Sequence, residues 1–159
     1  MGANHLQSRF FEKELREIAS EILGETGKEP WVSFGPCEVP SASAIKTEKN
    51  SSLSGFNSWI RKAISLARFK QNPLAETLSL WTWGDDSNLV LSLNLHPLQN
   101  KISDVLMLEK LHNVAVASVN EIGLDLHQTA KNESQQHLLA FVSGLGYRKH
   151  LDLIKKFQI

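Results

Sequence analysis

Apolar positions recur every three or four residues in several stretches, and each stretch predicts an amphipathic helix. The first runs from Asn4 to Leu23: Leu6, Phe10, Phe11, Leu15, Ile18, Ala19 and Ile22 share one stripe, and Glu12, Lys13, Glu14, Arg16 and Glu17 populate the other face. Gly24 and Gly27 supply stop signals after it. Trp31 to Phe34 predicts a short strand, cut off by Pro36 and Pro40. Ser41 to Ser54 is rich in Ser, Lys, Glu, Thr and Asn and predicts a loop or weak edge strand, with a domain boundary inside it. Helical spacing resumes from Phe56 to Lys70 through Trp59, Ile60, Ala63, Ile64 and Ala67. Asn72-Pro73 then suits an N-cap followed by the first position of a second helix, Leu74 to Leu80.

Beyond that pair, Trp81, Trp83, Gly84, Asp85 and Asp86 predict a turn. Two tryptophans so close read as a packed corner more readily than as a stacking platform, because no basic residue interleaves with them. Leu89 to Leu95 alternates in part and predicts a half-buried strand that ends at His96-Pro97. Asp104 to Val119 is a long helix with Leu108, Leu111, His112, Ala115 and Val119 on one stripe, stopped by Gly123. Leu124 to Lys131 reads as a connection. From Gln135 to Ile159 two short helices are predicted around Ser143-Gly144-Leu145-Gly146-Tyr147-Arg148-Lys149, with Leu138, Leu139, Phe141 and Val142 before the glycines and Leu151, Leu153, Ile154 and Phe157 after them.

Gly-x-Gly between two amphipathic helices is the sequence form of a helix-hairpin-helix. Glycine accepts positive φ and leaves nothing over the backbone amides, so a phosphate oxygen can approach a helix N-terminus. Ser143, Gly144, Leu145, Gly146, Tyr147, Arg148 and Lys149 are therefore the candidate nucleic-acid-binding residues. The competing reading of the same glycines is a helix C-cap followed by an ordinary turn.

Charge changes this picture only locally. Lys plus Arg and Asp plus Glu are 17 each, which argues against a general polyanion binder, and from Lys131 onward five bases face two acids. The single cysteine, Cys37, excludes an internal disulfide and fits a reducing compartment. Met1 to Arg9 lacks the apolar centre of a signal peptide, and no apolar run is long enough to cross a bilayer, so the expectation is a soluble intracellular protein with no membrane partner.

No other chemistry is framed. No two of the six histidines have zinc-site spacing, so no metal site is expected. His112 reads as a core residue; His150 reads as solvated, with phosphate contact as the alternative. Glu121 and Asp125 are separated by Gly123, and Asp125 is expected to accept backbone N–H groups. No nucleophile elbow, activated cysteine, phosphate loop or dinucleotide fingerprint occurs, so no catalytic residue and no cofactor is expected.

Three stretches in register resemble one family: Ala63 to Glu76 (AISLARFKQNPLAE), Val119 to Leu126 (VNEIGLDL) and Phe141 to Lys149 (FVSGLGYRK), with His96-Pro97-Leu98-Gln99 beside them. They are similar to the eukaryotic transcription elongation factor and histone chaperone suppressor of Ty six, whose bacterial relative is Tex. The likeness covers about Phe56 to Phe157. It implies a mainly α chain with a small β component: residues 1–55 as the C-terminal remnant of an RNase H-like (YqgF-type) domain, 56–102 as connecting helices and a short strand, and 103–159 as the first part of a helix-hairpin-helix domain. It further implies an excerpt or a shortened relative, a nuclear location and a non-enzymatic role in transcription through chromatin. The partners would be a DNA or RNA backbone, bound weakly, and, in a full-length relative, RNA polymerase II and histones. The alternatives are a purely structural scaffold segment and an RNase H-like, metal-dependent nuclease or resolvase; Asp85, Asp86 and Asp125 are too scattered to favour the last. The family usually carries Pro where Tyr147 stands and a small residue where His150 stands, so both add bulk beside the phosphate cradle.

Overall fold

The computed structural model describes residues 6–23, 32–49, 52–83 and 88–157. Chain contacts divide it into two units, Met1–Cys37 and Glu38–Ile159. In the first unit, helix α1 (Leu6–Leu23) keeps Phe10, Phe11, Leu15, Ile18 and Ile22 exposed, and Arg16 closes an i,i+4 ion pair on Glu12 at 2.7 Å. The predicted strand does not form over Val32 to Phe34, and Trp31 lies outside the described residues. Gly35 and Pro36 end the stretch after a few residues, too short to hold a ladder. No strand occurs among the described residues, so the expected small β component is corrected to none there.

The second unit begins with α2 (Glu38–Lys49), in the stretch where the sequence reads as loop. Pro40 falls in its first turn, where no intrahelical N–H is required. The small polar residues are accommodated because their hydroxyls have partners: Thr47 donates to the Ser43 carbonyl at 2.9 Å, and Ser43 donates to Glu76 at 3.0 Å. Val39, Ala42 and Ala44 are buried. Tertiary packing, not local propensity, makes this helix.

Helix α3 (Ser58–Gln71) starts where the Asn57 side chain accepts the Ile60 N–H at 2.9 Å. Asn72 then serves two helices: its N–H bonds the Arg68 carbonyl at 2.8 Å, and its side chain accepts the Ala75 N–H at 2.9 Å, capping α4 (Pro73–Leu78). The expected cap and first-position proline are both present.

Leu89 to Leu95 is not a strand. Leu89–Ser92 is a 3-10 turn capped by Asn88, and a second turn follows at Gln99–Lys101. The buried positions here are Val90 and Leu93, a spacing of three. That is the period of a 3-10 helix, and it overrides the partial alternation of leucines.

Helix α5 (Asp104–Ile122) ends at Gly123 with φ +78°, and the predicted connection after it contains a short helix, α6 (Leu126–Lys131), capped by Asp125 on the Gln128 N–H at 3.0 Å. The first arm of the predicted hairpin is a 3-10 segment, Gln136–Phe141; the second arm is α7 (Gly146–Phe157). Four successive residues of the first arm, Leu138 to Phe141, are buried, which a one-sided α-helix does not allow.

Among the described residues, three apolar pools hold this unit. Ala75, Leu78, Ala115, Val119, Leu138 and Phe141 join α4, α5 and the 3-10 arm; Val39, Leu80, Val90 and Leu93 sit under α2; Ala130, Leu139 and Ile154 fix α7. The tryptophans form the expected packed corner: Trp81 meets Phe141 edge-on at 5.6 Å, and Trp83 lies 5.5 Å from Phe141 and 5.8 Å from His112. Gly84, Asp85 and Asp86 lie outside the described residues.

Candidate nucleic-acid interface

The hairpin takes its shape from its glycines. Gly144 has φ +86° and Gly146 has φ +62°, both in the left-handed region where a Cβ is strained. A Cβ at either position would meet nothing within 4 Å, so the glycines answer to backbone conformation and leave open space over the turn. The Leu145 N–H closes the turn on the Val142 carbonyl at 3.1 Å. The first N–H groups of α7, from Gly146 on, have no intrahelical acceptor and carry the positive end of the helix dipole.

Of the predicted site residues, Ser143, Gly144, Gly146, Tyr147, Arg148 and Lys149 are exposed on this turn and Leu145 is half-buried. Their side chains are not equivalent. Lys149 folds back and donates to the Gly144 carbonyl at 3.2 Å. Arg148 forms no hydrogen bond or ion pair among the described residues. Tyr147 leans its ring on Trp83, with centroids 5.1 Å apart and planes 26° apart.

His150 corrects the sequence reading. It is buried, 5.3 Å from the Tyr147 ring, and its Nδ1 has no hydrogen-bond partner among the described residues. Its spacing of four from Ile154, itself buried, was the available signal: both lie on the inner face of α7.

One residue of the site carried no assignment from sequence. Asn120 ties the turn to α5: its Oδ1 accepts the Ser143 N–H at 3.1 Å, while its Nδ2 donates to the Phe141 carbonyl at 3.2 Å. An asparagine in the last turns of a helix costs propensity, and that was its only local mark.

A second polar feature lies elsewhere in the same unit. A cleft of about 310 Å³ is lined by Ser43, Lys46, Arg68, Glu76, Thr82 and His137, among others. Glu76, Lys46 and His137 are engaged within it. Glu76 accepts from Ser43 and Ser65; Lys46 donates to the Ser79 carbonyl; His137 Nε2 bonds the Ala75 carbonyl at 2.6 Å. Burial lowers the Lys46 pKa, with Glu76 pulling the other way. Burial also lowers the His137 pKa to about 4, with the Ala75 bond opposing and the charges of Lys46 and His150 assisting. Among the described residues no three His, Cys, Asp or Glu side chains gather so as to hold a metal ion, and no helix is long and apolar enough to cross a membrane.

Two helical arms meeting at a positive-φ glycine turn define a helix-hairpin-helix protein, and the family described as Helix-hairpin-helix motif matches residues 88–159. Transcription elongation factor SPT6 of Drosophila melanogaster is 30% identical over 162 residues, covering 98% of this chain and 8% of the fly protein. Transcription elongation factor SPT6 homolog of Arabidopsis thaliana is 35% identical over 160 residues, covering 96% of this chain and 10% of the plant protein. Suppressor of Ty 6 homolog of Caenorhabditis briggsae is 35% identical over 99 residues, 62% of this chain and 6% of the worm protein. By sequence the chain belongs to the Suppressor of Ty 6 family. It spans a tenth or less of the length of these curated relatives.

Proposed function

We propose that this chain is a non-enzymatic module of a transcription elongation factor and that residues 143–149 hold a nucleic-acid backbone without reading sequence. The observation that carries the reading is the turn itself: Gly144 and Gly146 at positive φ, open space above them, and the guanidinium of Arg148, without a partner among the described residues, at the start of a 12-residue helix. Such a turn offers backbone N–H groups and charge to a phosphate oxygen, a contact that positions but does not specify. Within this reading residues 1–55 are the remnant of an RNase H-like (YqgF-type) domain, 56–102 connect, and 103–159 open the helix-hairpin-helix domain. The protein then works in the nucleus, on chromatin templates, as part of a histone chaperone beside RNA polymerase II and histones.

A second reading is purely structural. It is favoured by Lys149, whose ammonium is spent on the Gly144 carbonyl, and by Asn120, which fastens the turn to α5. Fluorescence anisotropy with labelled DNA across a salt series separates the two. Phosphate binding gives an affinity that falls with salt, and the Arg148→Ala/Lys149→Ala double variant flattens the log–log slope by about 1.5. No binding by the folded protein at low salt leaves the structural reading standing.

A further inference from the structure

We propose that Tyr147 is a base-stacking platform that makes the hairpin site selective for single-stranded nucleic acid; the inference rests on the backbone-binding reading above. Tyr147 remains 42% exposed although one face of its ring is backed by Trp83. Trp83 is itself held by Trp81 at 6.0 Å, His112 at 5.8 Å and Phe141 at 5.5 Å, so the phenol is mounted on a packed aromatic column. Its orientation is therefore set before any ligand arrives, and little side-chain freedom remains to be lost on binding. Along the chain Tyr147 stands between the glycine turn at Gly144–Gly146 and the exposed Arg148 and Lys149. A strand whose phosphate occupies the turn thus has a neighbouring base within reach of a fixed aromatic surface.

That arrangement discriminates by strandedness. An unpaired base adds to the column with its π-face, whatever its identity. A base inside a duplex is already stacked and must be unpaired and pulled out before it can do so. The packed corner that the sequence assigns to Trp81 and Trp83 is then the footing of a platform, and the residue that supplies its working surface is the tyrosine beside the glycines.

The test uses the full 159-residue chain and three labelled probes of equal length: oligothymidylate, an abasic deoxyribose-phosphate strand and a DNA duplex. The expected result is that oligothymidylate binds roughly tenfold more tightly than the abasic strand. Tyr147→Ala removes that advantage, so that oligothymidylate and the abasic strand bind alike, and Tyr147→Phe retains it. Tyr147→Leu, folded by circular dichroism, serves as a second variant that fills space without a π-face. Equal binding of thymidylate and abasic strand, or a uniform loss across all probes in the Tyr147 variants, overturns the platform while leaving the backbone site intact. Failure of the wild type to bind any probe removes the backbone site and the platform with it.

Discussion

The polar junction at Glu76 and the turn at Gly144 both bring charge against backbone, and they treat it in opposite ways. At the junction the charges are inside. Glu76 is 4% exposed and answered by two serine hydroxyls; Arg61 is 7% exposed and donates to the Ala44 and Phe56 carbonyls at 3.1 and 2.5 Å. These groups bind α2, α3 and α4 together. At the turn the charges are outside, Arg148 has no partner among the described residues, and the backbone itself is uncovered. A buried charge must be fully paired or it destabilises the fold, whereas an exposed one is held by water until something better arrives. The junction is architecture for that reason, and the turn is available.

Four perturbations sharpen the contrast, and their costs fall in the order the contrast dictates. Glu76→Ala strands the Ser43 and Ser65 hydroxyls and deprives Lys46 of its nearby opposite charge; it is expected to cost about 3 kcal/mol and to lower the melting temperature by about 10 °C. A melting temperature unchanged within a degree or two would refute the junction's structural role. Acid acts on the same region through His137. Its folded pKa, about 4, lies below its unfolded value, so between the two the unfolded chain binds more protons. This contribution is complete above pH ~6.5 and is lost as pH falls toward 4, by up to about 3 kcal/mol. Urea titrations at pH 7 and pH 4.5 measure it, and His137→Gln should flatten the difference between them.

At the turn the costs are smaller. Gly144→Ala meets no neighbour, so its penalty is the backbone strain of φ +86° alone, about 1 to 2 kcal/mol by denaturant titration. Arg148→Ala/Lys149→Ala should change stability by less than about 0.5 kcal/mol, since exposed charges contribute little to folding. A large loss in that double variant would place Lys149, through its bond to Gly144, among the structural residues and would erase the distinction between the two regions.

What was legible in the sequence followed from local signals. Asn72-Pro73 announced both a cap and a helix start, Gly123 a stop, and Gly144 and Gly146 a turn, because each relies on a property its own residue carries. The helical stripe through Ala115 and Val119 was equally plain. Several of the failures depended on distant partners. Helix α2 is hidden in a polar stretch because the acceptor for Ser43 is Glu76, far along the chain. The segment Leu89 to Leu95 alternates like a strand, yet nothing among the described residues pairs with it, so a 3-10 turn satisfies its backbone instead. His150 looked like a surface residue until the aromatic column and the 3-10 arm closed over it. Asn120 acquires its purpose only when residues 141–143 arrive beside α5.

The bond from His137 to the Ala75 carbonyl also carries information about time. Arg61 and Ala44 are 17 residues apart and Ser43 and Glu76 are 33 apart, while His137 and Ala75 are separated by 62. Closing the longest of these loops costs only about 1 kcal/mol more than closing the shortest, yet that cost falls due before any of its contacts exist to offset it. Each half of the unit can therefore fasten itself from nearby segments, since Ser143 reaches Asn120 across only 23 residues, and the bond from His137 to Ala75 joins the two halves at the largest closure cost of these contacts.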